Sequence, residues 1–84
     1  MYYDSEFEII EKLAVIGRKD IKHPKELNIV QWGDMKPKFD LRKWNNGEPL
    51  KGLTLDEEEA YDLMIELNAF FKGGRKLPPG KYNE

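Results

Sequence analysis

Lys36-Pro37-Lys38-Phe39-Asp40-Leu41-Arg42-Lys43-Trp44 has two unlike faces when it is read with a period of two. Phe39 and Leu41 point one way; Lys38, Asp40, Arg42 and Trp44 point the other, as side chains do along a β-strand. The preceding run, Glu26-Leu27-Asn28-Ile29-Val30-Gln31-Trp32, repeats the pattern, with Leu27 and Ile29 on one face and Asn28, Val30 and Trp32 on the other. Gly33-Asp34-Met35-Lys36-Pro37 between them is a turn signal, so the two runs are expected to pair as an antiparallel hairpin. One side of that sheet is aliphatic and core-like. The other collects both tryptophans, an arginine and a lysine. A water-facing surface seldom spends two tryptophans without a use for them. Aromatic rings interleaved with cations suit a single strand of nucleic acid, whose bases stack on the rings while its phosphates meet the cations.

Outward from this pair, residues 7–16 are rich in β-branched and aliphatic side chains and read as a long strand, with a helix as the alternative on periodicity alone. Gly17-Arg18-Lys19-Asp20 and His23-Pro24 mark a polar connector. Asn45-Asn46-Gly47-Glu48-Pro49 is a strong turn, and a short fourth strand is expected at 50–55. Asp56, with Glu59 three residues on, forms a capping box, and Glu57, Glu58 and Glu59 favour the positive end of a helix dipole. Ala60, Leu63, Met64, Leu67 and Phe71 then follow helical spacing, Tyr61, Ile65 and Asn68 broaden the stripe, and Gly73-Gly74 ends the helix. The expected architecture is α+β: a four-stranded twisted antiparallel sheet followed by one C-terminal helix. The helix is expected to lie across the aliphatic face and leave the Trp32, Arg42 and Trp44 face outside. Its apolar width exceeds what one small sheet covers, which points to a two-fold homodimer through Tyr61, Met64, Ile65 and Asn68. The domain is placed at 1–72, with a flexible tail at 73–84.

Composition narrows the classes. The chain has 84 residues, no cysteine and one histidine, so disulfides and thiolate metal sites are absent and a protein-only zinc site is not expected. A core this small usually needs a staple, and oligomerisation is the one left. No apolar run approaches the roughly 20 residues of a membrane span. Tyr2, Tyr3, Asp4 and Glu6 are wrong for a signal peptide. The expectation is a soluble cytoplasmic protein, nucleoid association being left open. The net charge of −2 hides segregation: residues 12–54 carry ten Lys or Arg against five Asp or Glu, whereas residues 55–71 carry six acids and no Lys or Arg. Local field matters more than the total, so an anionic partner remains compatible with the acidic pI. The duller reading is that these charges are ordinary solvated faces.

The motif order resembles the single-stranded-DNA-binding domain of the transcriptional positive cofactor four family, particularly its short bacterial members. The resemblance spans about residues 7–71. It is carried by Phe7-Glu8-Ile9, Leu27-Asn28-Ile29-Val30-Gln31-Trp32, Phe39-Asp40-Leu41-Arg42-Lys43-Trp44, and Lys51-Gly52-Leu53-Thr54-Leu55 before a capped acidic helix. It implies homodimers joined through their helices, with curved sheets whose ridges bind unpaired DNA with little sequence preference. By position, Trp32 matches the aromatic ending the second strand and Arg42 the third-strand arginine. Lys36 or Lys38 matches the lysine entering the third strand, and Trp44 falls at, or one place before, the other stacking aromatic. The regulatory arm of the eukaryotic relatives is absent, so the DNA-binding core carries over and coactivator function does not follow automatically.

The expected mechanism is therefore binding, with a role in transcription regulation, replication or repair. Trp32 and Trp44 stack bases; Lys12, Lys36, Lys38 and Arg42 neutralise phosphates; Asn28 bonds a base or sugar; Lys25, Lys51 and the connector cations Arg18, Lys19 and Lys22 extend the site. Single-stranded DNA is the expected partner, RNA an alternative, with no cofactor, metal, membrane or small-molecule substrate. Each residue also has a plainer reading. The tryptophans fit a second small core under the N-terminal strand or the tail, and Arg42 fits a surface ion pair with Asp40 or Glu11. A protein-interaction module is the main rival. An enzyme is not expected, because no nucleophile–base pair or metal set is present.

Overall fold

The two central runs pair as their alternation requires. β2 (Lys25–Trp32) and β3 (Lys38–Asn45) are antiparallel, with Leu27 opposite Leu41, Ile29 opposite Phe39 and Asn28 opposite Asp40. The computed structural model describes residues 7–18 and 20–80. Tyr2, Tyr3, Asp4 and Glu6, which argued against a leader, lie outside the described residues, as do Lys19, Lys81 and the end of the tail. β1 (Phe7–Ile16) and β4 (Glu48–Leu55) flank the pair, giving a meander in the order β1-β2-β3-β4. Asn46 (φ 52°) and Gly47 (φ 83°) turn β3 into β4, and this pair of left-handed residues makes the tightest kind of hairpin. α1 (Glu57–Lys72) follows β4 with only Asp56 between. The Asp56 carboxylate accepts from the Glu59 backbone N–H at 2.8 Å, and the Glu59 side chain accepts from the Asp56 N–H at 2.9 Å.

The outer strands are not regular. β1 carries two residues more than β2 can pair: Ile9 faces Val30 and Glu11 faces Ile29, so Ile10 is extra; Lys12 faces Asn28 and Ala14 faces Leu27, so Leu13 is extra. On β4, Gly52 faces Arg42 and Pro49 faces Trp44, leaving Leu50 and Lys51 together opposite Lys43. Bulges bend a strand and tighten its twist. The bulged β1 thereby keeps Phe7, Ile9, Lys12 and Val15 on the face of Asn28, Val30 and Trp32.

The sequence assigned the two faces correctly but not which of them is buried. The buried residues are Asn28, Val30, Asp40, Arg42 and Trp44, all on the face expected to lie outside. Val30 is 0% exposed on this curled face, whose outer strands are bent by the bulges of β1 and β4. The aliphatic face is only half covered, with Leu53 51% exposed. The helix does not lie across it: α1 has no buried residue and, among the described strands, touches only β3 and β4. The helix begins one residue after the edge strand β4, and its contacts stay with β3 and β4. No helix among the described residues is long and apolar enough to cross a membrane.

Candidate nucleic-acid interface

The curled face is built row by row from cross-strand partners. Trp32, ending β2, faces Phe7 at the start of β1, and the two rings lie 4.5 Å apart at 52°. A tilted pair at that distance is a favourable aromatic geometry. Both rings are half-buried, so Trp32 keeps part of its surface open. The next row is Ile9, Val30 and Lys38; Lys38 is therefore diagonal to Trp32, within reach of a long side chain. The third row is Lys12, Asn28, Asp40 and Thr54, and the fourth is Val15, Glu26, Arg42 and Gly52.

Arg42 is held inside this face. Its Nε donates to both oxygens of Asp40, at 3.0 and 2.7 Å, its Nη2 donates to Oδ1 at 2.6 Å, and its Nη1 donates to the Leu50 carbonyl at 3.0 Å. The side chains are 7% and 0% exposed. The ion pair foreseen at the surface is thus a buried one, made possible because i and i+2 on a strand share a face. Gly52 opposite is what leaves room: a Cβ there would stand 2.0 Å from the Arg42 Cβ and 2.5 Å from the Leu41 carbonyl oxygen. In this arrangement the guanidinium is directed at Asp40 and the bulge carbonyl, where burial keeps it from a phosphate.

Trp44 is buried as well, at 7% exposure, and has no open ring face for a base. Its backbone N–H donates to the Pro24 carbonyl at 3.0 Å, tying the connector between β1 and β2 onto the end of β3. Its indole Nε1–H finds no acceptor among the described residues. The plainer reading of the tryptophans, packing under the N-terminal strand, describes Trp32 against Phe7. Trp44 packs at the connector end instead.

The remaining candidates divide. Lys12 and Lys38 stand on the curled face, Lys12 exposed and Lys38 half-buried; Lys36 is exposed in the turn before β3. Asn28 is buried between Lys12 and Asp40, its Nδ2 donating to Glu26 Oε1 at 3.4 Å. Lys25 alternates onto the aliphatic face, opposite Lys43, and Lys51 sits in the β4 bulge. In the connector, Arg18 pairs with Asp20 at 3.0 Å, and its guanidinium holds the Asp20 carboxyl below its ordinary pKa. The sequence reading missed Phe7 as a site residue, along with Glu26 and the spacing role of Gly52. Phe7 opposite Trp32 was not recoverable from the sequence, because the two bulges in β1 that set this register have no Gly or Pro to announce them.

On the helix, Tyr61, Met64, Ile65 and Asn68 are all exposed, with Leu63, Leu67 and Phe71. Beyond it, Arg75 lies 4.6 Å over the Phe70 ring, so the first residues of the tail fold back on the helix end. The chain matches no protein-family model and no curated protein in sequence. Its likeness to the positive cofactor four family rests on the quoted motifs alone.

Proposed function

We propose that the chain binds single-stranded nucleic acid, DNA in the first place, as a two-fold homodimer with little overall sequence preference, in the manner of the positive cofactor four family. The observation that carries the reading is the Phe7–Trp32 ring pair, partly open and set diagonally beside Lys38 on a face that also presents Lys12. A half-open ring beside ammonium groups is the minimal unit of a stacking platform, each stacked base being worth about 1–3 kcal/mol. Lys12, Lys36 and Lys38 meet phosphates. Arg42, Asp40 and Trp44 give the face its shape and do not contact the strand. A duplex keeps its bases stacked and offers Trp32 nothing.

Dimerisation is supported by surface. The accessible area is 7204 Å², against ~5,200 Å² for a compact chain of this mass. The radius of gyration is 15.4 Å, against ~12 Å. Part of that surface is apolar: Phe71 is 65% exposed and Tyr61 61%, with Met64 and Leu67 at about half. Large apolar patches of this kind are the mark of an interface, and a second copy of the same helix and aliphatic face is the self-complementary occupant.

Fluorescence titration with an oligo-dT of about 20 nucleotides at several salt concentrations, beside the matched duplex, tests the binding. Three lysines on each of two protomers give an expected slope of about −4 in log K against log salt. Quenching of tryptophan emission by the single strand, lost in Trp32→Ala, agrees with the reading. Equal binding to duplex, or no binding at low salt, sinks it and returns the face to a protein-interaction role.

A further inference from the structure

A carboxylate on a face that receives phosphates weakens binding unless it contacts something other than phosphate. Glu26 is such a group. It is half-buried in the fourth row, between Val15 and Arg42, and the bond it accepts from Asn28 Nδ2, at 3.4 Å, is long and weak. Glu26 and Asn28 line an open hollow of about 320 Å³ with Lys12, Leu13, Ala14 and Val15. The hollow lies at the second bulge of β1, where Leu13 is the extra residue and the strand bends. It is at the small end of the size range of ligand pockets.

We infer that this hollow receives one base of the bound strand and prefers guanine. The inference rests on the nucleic-acid reading above and adds selectivity at one position of the strand. An ionised carboxylate only accepts hydrogen bonds. Guanine presents N1–H and N2–H side by side, matching the two oxygens of Glu26, with O6 next to them for the Lys12 ammonium. Thymine and uracil present one N–H flanked by two carbonyl oxygens, which a carboxylate repels. Cytosine and adenine offer one amino group beside a ring-nitrogen acceptor. Bases of an unpaired strand expose these edges to side chains, which is how single strands are read. Val15 and the extra residue Leu13 supply an apolar wall for the ring. Repulsion of the wrong base contributes as much to selectivity as attraction of the right one.

The test is a competition series at fixed salt. Oligo-dT of about 20 nucleotides is compared with the same oligonucleotide carrying one central dG, dA or dC, by fluorescence anisotropy, using the wild type, Glu26→Gln and Lys12→Gln. The single dG avoids guanine quadruplexes, and circular dichroism checks that each variant is folded. Wild type is expected to bind the dG oligonucleotide about tenfold tighter than all-dT. Glu26→Gln exchanges one acceptor for a donor, so the preference collapses while all-dT binding holds or improves. Lys12→Gln weakens all four oligonucleotides and narrows the dG advantage. Equal wild-type affinity for dG and dT, or a dG preference that survives Glu26→Gln, overturns the inference and leaves the stacking platform standing. Failure to bind any of the four removes both. Should Glu26→Gln not fold, an undiminished dG advantage in Lys12→Gln overturns the assignment.

Discussion

Arg42, Asp40 and Gly52 form one device. The arginine has its charge answered within β3 by Asp40, with room left by its partner on β4, Gly52, which has no side chain. Removing one member of a buried pair strands the other: Asp40→Ala is expected to cost about 3–5 kcal/mol in urea unfolding. Gly52→Ala is expected to weaken the β3–β4 pairing, because a Cβ 2.0 Å from that of Arg42 cannot be accommodated without moving backbone; faster amide exchange along β4 measures it. Trp44 offers a finer discrimination. Its buried Nε1–H, with no acceptor among the described residues, carries a desolvation cost of about 1–3 kcal/mol. Trp44→Phe removes that donor with part of the ring and is expected to lie within about 1 kcal/mol of wild type, whereas Trp44→Ala is expected to lose about 3–5. A large loss in Trp44→Phe would mean that the indole N–H has an acceptor. The alternation of Phe39-Asp40-Leu41-Arg42 placed these residues on one face; it could not say that Arg42 would turn inward, because that depends on the glycine opposite and on the curl of the sheet.

The elements were legible where local chemistry dictates them. The hairpin turn at Asn46-Gly47 and the Asp56/Glu59 box are set by residues a few positions apart, and both stand where the sequence marked them. Strand edges moved by a residue or two: β2 begins at Lys25 and β4 at Glu48. The bulges at Ile10 and Leu13 were not legible, since a strict period of two would have grouped Ile9 with Glu11 and Leu13 rather than with Lys12. They decide which β1 side chains face the site. The helix is held by its cap and its neighbours more than by its own contacts with the sheet, so Asp56→Ala is expected to cost about 1 kcal/mol by denaturant unfolding. A peptide of residues 56–72 alone is expected to be only marginally helical by circular dichroism, being near the length at which isolated helices fail.

At the scale of the molecule, the curled face is internally packed and the helix is not. The expected covering of the sheet by α1 is not seen: the helix starts one residue after β4 and, among the described strands, touches only β3 and β4. Its apolar width was read correctly, and in a dimer that width is accounted for. The melting temperature is therefore expected to rise with protein concentration, and Met64→Lys is expected to shift sedimentation equilibrium toward monomer with loss of stability. A concentration-independent melting curve would argue for a folded monomer. The central claim is that the curled face, and not the aliphatic face or the helix, meets the strand. The most direct measurement is a two-dimensional amide and indole NMR titration of the protein with oligo-dT. Shifts confined to Phe7, Ile9, Lys12, Trp32, Lys36 and Lys38, with the Trp32 indole moving and the Trp44 indole still, are what the account predicts. Shifts clustered on Leu53, Leu55 and the helix, with the curled face silent, would contradict it.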